Sequence, residues 1–417
     1  MNIVLKYGRE GINFDINDKN LMKVLTLDIK NNKIIDTGKA IKTVLRSPAG
    51  TESLVKLLKT KKPKKVAVIL EDVTRANPEY PEILSALISV LEESGVFNPV
   101  FIIAYGTHRK HSEEETERLY KLDKKYIIVH HDCDDKSQLV SLGKLSTGNE
   151  LLINKTVAEA DFIITTGNIE PHSFAGYTGG RKAILPGVAA RESITISHSK
   201  VKRDGVVMGK IDNNPIHEEM LEAGKLAGID FILNVIRNDK KEIVRIVAGD
   251  FQKAFDEGVK FSKDLYSVKV EMPADVIIVS CGGYPRDVNL YQAQKCITAS
   301  SNVIKNGGTI ILLAECSDGV GQDTFEDWMK KYTIEETMLK KEPEIVVEGH
   351  RAYLTKKIMS YCDIIVISSV PEKIISGMGY LYQPDIQSAM KYIEEKYGTG
   401  YKTYVIPNGS AIIPQLG

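Results

Sequence analysis

The sequence predicts an α/β protein of two domains, each with a mostly parallel sheet flanked by helices, and an active site in the interdomain cleft. Three observations carry this. Short, β-branched apolar runs alternate with helical patterns along the 417 residues, the order that gives parallel sheets covered by helices. Most of these runs end in glycine, histidine or charged residues, so reactive side chains fall just past the carboxyl ends of strands, where open α/β sheets bind ligands. Such loops recur in both halves of the chain, and pockets at domain interfaces are common.

The elements follow in order. "KVAVIL" (65–70) leads through a loop to the helical "PEILSALISVLEESG", and "PVFIIAY" (99–105) to the acidic helix start "SEEETERLYK". "ADFIITT" (160–166) is a short buried strand that runs into "GNIEPHSFAGYTGGRKAILPG" (167–187). A second series contains "ADVIIVS" (274–280), "GTIILLAE" (308–315), "CDIIVISS" (362–369) and "KTYVIP" (402–407). Charges and prolines between Val268 and Pro273 mark the boundary. The expected division is 1–270 as an N-terminal cofactor-binding domain and 271–399 as a second domain, with the tail 400–417 available to complete the first.

Composition narrows the function. The 55 basic residues balance 55 acidic ones, which gives no general attraction to nucleic acid or membrane. The basic cluster "KTKKPKKVAVIL" reads as the solvated lead-in to a strand. The start "MNIVLKYGREG" lacks the apolar core of a signal peptide, and no run is long enough to span a membrane, so a cytoplasmic protein is expected. The five cysteines are scattered without a C-x-x-C pair, against a disulfide framework or a cysteine-rich zinc site.

Chemistry concentrates at the strand ends. "VILEDVTRANP" places Asp72, Thr74 and Arg75 after the first strand, where an arginine set by an acidic neighbour suits a carboxylate or phosphate, although a plain surface pair is the alternative. "IIAYGTHRKH" places His108 after the second, either as an acid/base or as a cap for the helix near Ser112. His172 and Lys182 lie in the glycine-rich stretch, and His198 in "SITISHS" reads as a helix-end histidine. In the second series, Tyr291 and Lys295 of "GGYPRDVNLYQAQK" share a helical face with Gln292 beside them. "HHDCD" (130–134) has metal-ligand residue types without a recognisable spacing and is read as surface. "GYTGGRKA" departs from a Walker loop at Arg181 and Ala183, no G-x-G-x-x-G follows a strand, and "IHEEM" is not H-E-x-x-H.

Taken together, "DVTRANP", "GTHRKHSEEE", "GNIEPHSFAGYTGGRKAILPG", "SITISHS" and "GGYPRDVNLYQAQK" resemble, in order and spacing, the nickel-dependent lactate racemase family over essentially the whole chain. The resemblance implies an isomerase that interconverts D- and L-2-hydroxy acids, lactate foremost, by hydride transfer to and from a nickel pincer nucleotide. That cofactor is pyridinium-3,5-bisthiocarboxylic acid mononucleotide, here linked covalently at Lys182, with His198 as the remaining nickel ligand. It further implies His108 and His172 as the acid/base pair, Asp72, Thr74, Arg75, Gln292 and Lys295 along the cofactor, and Arg75, Tyr291 and Lys295 at the substrate. The partners implied are the small-molecule 2-hydroxy acid and the maturation proteins that supply the pincer nucleotide, with no nucleic acid and no membrane.

On this reading the glycines let backbone N–H groups approach the nucleotide phosphate, and one imidazole completes the planar four-coordinate set that suits Ni(II). Two histidines serve because a racemase meets the hydroxyl proton in two orientations, and imidazole gives as well as takes. The sequence departs from the family where an aromatic side chain is expected near the substrate's methyl group. The sole tryptophan, Trp328, does not clearly occupy that position, and "EGHRAYLTKK" (348–357) can stand there instead. His350 or Arg351 then meets a second polar group of malate, a longer 2-hydroxy acid or a sugar acid; the alternative is that both are exposed helix residues. An NAD-dependent oxidoreductase, recognisable by NAD dependence, and a non-catalytic nucleotide-binding protein, which needs no converging histidines, are the other function classes.

Overall fold

The computed structural model describes residues 1–27, 33–75 and 78–417. The chain divides into two compact units, one of residues 29–265 and one of residues 1–28 with 266–417. The first contains a six-stranded sheet in the spatial order Ile243–Gly249, Ile229–Arg237, Phe162–Asn168, Val66–Glu71, Val100–Ala104, Ile128–His130. Neighbours are parallel except Ile243–Gly249, which returns antiparallel to Ile229–Arg237. The central strands are continuous apolar runs because both faces of a parallel sheet are covered. In the helix Tyr80–Glu93, Ile83, Leu84, Leu87, Val90 and Leu91 recur every three or four residues and share a core with Val66, Val68 and Leu70. Fully burying each such side chain contributes about 1.5–3 kcal/mol.

From Val66–Glu71 the chain moves to one side of the sheet for its next two strands and to the other side for Phe162–Asn168 and Ile229–Arg237. The carboxyl ends of Val66–Glu71 and Phe162–Asn168 therefore flank the point where strand order reverses, the place where an α/β sheet opens a crevice.

The second unit has its own six-stranded sheet, ordered Leu381–Tyr382, Cys362–Ile367, Ile304–Leu313, Ala274–Ser280, Thr403–Ile406, Leu21–Val24, all parallel. Here the division expected from the sequence is corrected. The tail does not complete the first domain: Thr403–Ile406 pairs with Ala274–Ser280, and Ile413–Leu416 with Ser267–Val270. Residues 1–28 also belong to this unit, with Leu21–Val24 pairing along Thr403–Ile406 and the hairpin Asn2–Tyr7/Glu10–Asp15 giving Ile3, Leu5 and Phe14 to its core. A strand joins whichever sheet edge leaves its backbone groups paired and its apolar face covered, and sequence distance has no part in that. Among the described residues, no helix is long and apolar enough to cross a membrane.

Candidate active site

Two clusters of functional side chains form on loops of the 29–265 unit. The first lies past Val66–Glu71 and Val100–Ala104. Asp72 is buried, and its carboxylate accepts from His108 Nδ1 at 2.5 Å and from Thr74 Oγ1 at 2.7 Å. Burial opposes ionisation of Asp72, yet the hydrogen bonds and charge of His108, the Thr74 hydroxyl and the Arg75 charge together hold its carboxyl below the ordinary value. The turn Val73–Arg75 is fixed from below by His111, whose Nε2 accepts from the Val73 N–H at 2.7 Å and whose ring stands edge-on to Tyr105. His108 is not a helix cap. Ser112 performs that task in a capping box with Glu115, which leaves the His108 ring half exposed against Asp72. Ala76 and Asn77 of the "DVTRANP" motif lie outside the described residues.

The second cluster belongs to the glycine-rich stretch. Pro171–His172 pairs with Gly176–Tyr177 as a miniature hairpin, and the turn Gly180–Ala183 carries Lys182 back towards it. Lys182 Nζ lies 3.1 Å from His172 Nε2 and 5.7 Å from the centre of the Phe174 ring. Phe174 stands edge-on to both His172, at 4.4 Å between ring centres, and His198, at 4.9 Å. One phenyl ring therefore gathers three residues that span 27 positions, from 172 to 198. His198 occupies the last turn of the helix Arg191–Ser199, and the next residue but one, Lys200, is sealed in an ion pair with Glu219 that also takes hydrogen bonds from Thr147 and Asn149.

The glycines have a different role from the one expected. At Gly176, with φ of +76°, an added Cβ would lie 2.4 Å from the Lys210 carbonyl oxygen, and at Gly187 one would lie 2.4 Å from the Ala183 carbonyl oxygen. The Gly180 N–H is directed to Asn234 Oδ1 at 3.3 Å. These positions let the loop pack against the protein's own backbone rather than offering an open phosphate cradle. The Gly106 N–H donates to the Gly187 carbonyl, tying the His108 loop to this one. Gly176→Ala therefore combines left-handed backbone strain with a backbone clash and is expected to destabilise the fold by about 1–3 kcal/mol, read as a lowered midpoint of denaturant unfolding.

Further buried and half-buried charges sit in the same stretches. Glu71 receives Asn168 through both its backbone and side-chain nitrogens at 2.9 and 2.8 Å, and burial pushes its carboxyl up to about 8 despite Asn168 and the charges of Arg75 and Arg237. Glu170 is half-buried, which pushes its carboxyl up, but Lys241, Arg237 and Arg75 hold it down at about 2, with Arg237 at 3.0 Å. Arg181, the residue that spoils the Walker pattern, is fully buried over Phe255 and donates to the Ala175 carbonyl at 2.8 Å, so it anchors the loop from beneath. "HHDCD" is structural: His130 bonds Tyr105, His131 the Ala189 carbonyl, Asp132 pairs with Lys110 and Asp134 with Arg191.

In the second unit, the helix Leu290–Ser300 starts at Asn289, whose side chain caps the Gln292 N–H. Lys295 Nζ donates to Gln292 Oε1 at 2.7 Å, and the Tyr291 ring packs between Phe325 and the Arg351 guanidinium. Trp328 is a core residue whose ring presses on Gly349 and stands edge-on to Tyr332. His350 and Arg351 are not exposed helix residues: they are 3% and 8% accessible.

Profiles of the lactate racemase N-terminal and C-terminal domains match residues 7–209 and 269–414. The chain is 32% identical to the lactate racemase of Thermoanaerobacterium thermosaccharolyticum and 31% identical to that of Lactiplantibacillus plantarum, in each case over 99% of both chains. Its structure superposes on the lactate racemase apoprotein of T. thermosaccharolyticum with a TM-score of 0.91 over 100% of each chain, at 31% identity. A Thermotoga maritima protein of 19% identity shares the fold, with a TM-score of 0.66 over 93% of this chain. With both domain profiles matched and full-length relatives above 30% identity, the chain belongs to the lactate racemase family.

Proposed function

We propose that this enzyme interconverts the D and L forms of 2-hydroxy acids, lactate first among them, with Lys182 as the attachment point of a nickel pincer nucleotide and His198 as its protein ligand to nickel. The observation that carries the reading is the grouping of Lys182, His172 and His198 around Phe174. Its donor set fits such a cofactor. Two imidazoles and one amine, with no thiolate or carboxylate among these three residues, fall short of a protein-built metal site, and suit a metal whose other ligands arrive on an organic frame. When bound, the pincer nucleotide supplies reversible acceptance of hydride from the substrate's carbinol carbon.

The protein's part is proton transfer and orientation. Asp72 accepts from His108 Nδ1–H, which in the neutral ring leaves Nε2 as the base. His172 Nδ1 accepts the Ala175 N–H at 3.3 Å, and its Nε2 faces the Lys182 amine at 3.1 Å, so the charge on that amine decides which nitrogen carries the proton in the neutral ring. The two imidazoles are assigned to take the hydroxyl proton and to give one back. They stand on loops after the two strands that border Val66–Glu71, on either side of Arg75. Within the 29–265 unit we assign the substrate carboxylate to Arg75, with Asp72 and Thr74 lining the cofactor. An NAD-dependent oxidoreductase lacks support, because no dinucleotide fingerprint follows any strand.

Isotopic labelling tests the reaction type. Substrate deuterated at the carbinol carbon is expected to racemise with the label retained, and with a primary isotope effect where that step limits the rate. Solvent deuterium appearing at that carbon at the rate of turnover would show α-proton abstraction instead.

A further inference from the structure

His111 takes no part in the chemistry above, yet through it the His108 loop grips the turn that carries Asp72 and Arg75. Two N–H groups of the turn Val73–Arg75 are satisfied by Asp72: Thr74 N–H donates to its carboxylate at 3.2 Å and Arg75 N–H to its carbonyl at 3.0 Å. The third, on Val73, leaves the turn and donates to His111 Nε2 at 2.7 Å. The strand end before it is held by side chains too, with the Glu71 N–H on the Tyr80 hydroxyl and the Glu71 carbonyl receiving the Tyr120 hydroxyl. Backbone groups buried at such a turn must find partners, and His111 is the partner for Val73.

An imidazole is a costly choice for that task. His111 is 7% accessible, with its ring edge-on to Tyr105 at 4.9 Å and stacked against Tyr120 at 6.1 Å between centres. Its backbone N–H donates to the Tyr105 hydroxyl at 3.0 Å, so the ring and the chain that carries it are both fixed. Because Nε2 accepts, the neutral ring keeps its proton on Nδ1, and Nδ1 is sealed from solvent with no hydrogen-bond partner among the described residues. A leucine or phenylalanine would avoid that unpaired N–H. What only the imidazole offers here is a rigid acceptor for Val73.

The charge of the ring is decided by the same contact. Burial holds the His111 imidazole below its ordinary value against the pull of Asp72 and Glu115, and Arg109 and His130 add to the burial. Protonated, Nε2–H would face the Val73 N–H, donor against donor. The His108 loop therefore meets the Asp72 turn at two points three residues apart, His108 Nδ1 on the carboxylate and His111 Nε2 on the next backbone N–H. One such contact is a hinge, whereas two fix an angle.

We propose that His111 is a positioning residue for proton transfer: by holding the Val73 N–H it fixes the Asp72 carboxylate against His108 and so aims the imidazole that takes the hydroxyl proton. The assignment rests on the reading of His108 as that base.

The test is made on the holoenzyme. His111→Leu, which has no acceptor, should lower kcat/KM by on the order of 10²-fold, the effect of a misaimed reacting group. His111→Gln, whose side-chain oxygen can stand in for Nε2, should recover most of the loss. Because His111 works through His108, His111→Leu should cost little more in the His108→Ala background. The acid limb of log kcat/KM should steepen in the wild type as His111 takes its own proton after His108, and should keep a one-proton slope in His111→Gln. Nitrogen NMR of histidine-labelled protein should show His111 Nε2 unprotonated at neutral pH. Equal losses in the two variants, a His111→Leu loss undiminished by His108→Ala, an acid limb that His111→Gln leaves unchanged, or a protonated Nε2 would each overturn the proposal. Should His111→Leu fail to fold, the pH profile of His111→Gln and the nitrogen signal decide. Loss of the substrate's carbinol label to solvent would sink the hydride reading above, while the contrast between His111→Leu and His111→Gln would still hold the positioning role, then for a base at that carbon.

Discussion

Lys182→Ala, produced together with the maturation proteins, is expected to lack the nucleotide-sized mass that wild-type protein carries, to contain no nickel and to have activity at background. The Lys182 Nζ sits at 3.1 Å from the His172 imidazole and over Phe174, on a short turn whose next neighbour, Arg181, is locked beneath the loop. Removing a half-buried side chain from this anchored turn leaves the fold intact, so an unchanged unfolding midpoint separates lost attachment from lost structure. His198→Ala gives the complementary pattern: the mass addition remains and the nickel is lost. An addition found on another lysine, or retained in Lys182→Ala, would remove the basis of the cofactor assignment.

His108→Ala and His172→Ala are each expected to cut turnover by roughly two to four orders of magnitude, the usual contribution of a positioned acid or base. Both variants should keep the mass addition, because neither side chain carries it. Asp72→Asn probes the orientation of His108 separately. An amide in place of the carboxylate presents a donor to Nδ1, which turns the proton to Nε2 and removes the base at the hydroxyl. Turnover in Asp72→Asn should therefore approach that of His108→Ala at unchanged adduct content. Near wild-type rates in Asp72→Asn or in both histidine variants would place proton transfer elsewhere.

Much of this protein was legible in the sequence, for reasons that are local. Alternating apolar runs and helical patterns determined two α/β units with parallel sheets, because buried strands need apolar side chains on both faces and their crossovers need helices. That Asp72, His108, His172 and Lys182 lie just past strands was also legible, since a strand's end and the loop after it are fixed by the same few residues. Tertiary structure alone decided what those residues touch. The partnership of His108 with Asp72 joins loops 36 positions apart, and Phe174, an unremarked aromatic in a glycine-rich stretch, became the centre of a cluster through packing. Tertiary structure also reassigned the glycines, whose positive φ is a property of the residue but whose close neighbours, such as the Lys210 carbonyl, come from distant chain. It moved both chain ends into the second unit, because edge pairing ignores sequence order. Finally it buried Arg351 against Tyr291, which an amphipathic reading of "EGHRAYLTKK" could not foresee: burial is set by what packs on a helix from outside it, and a helix covered on all sides carries no stripe to announce which face is turned to solvent.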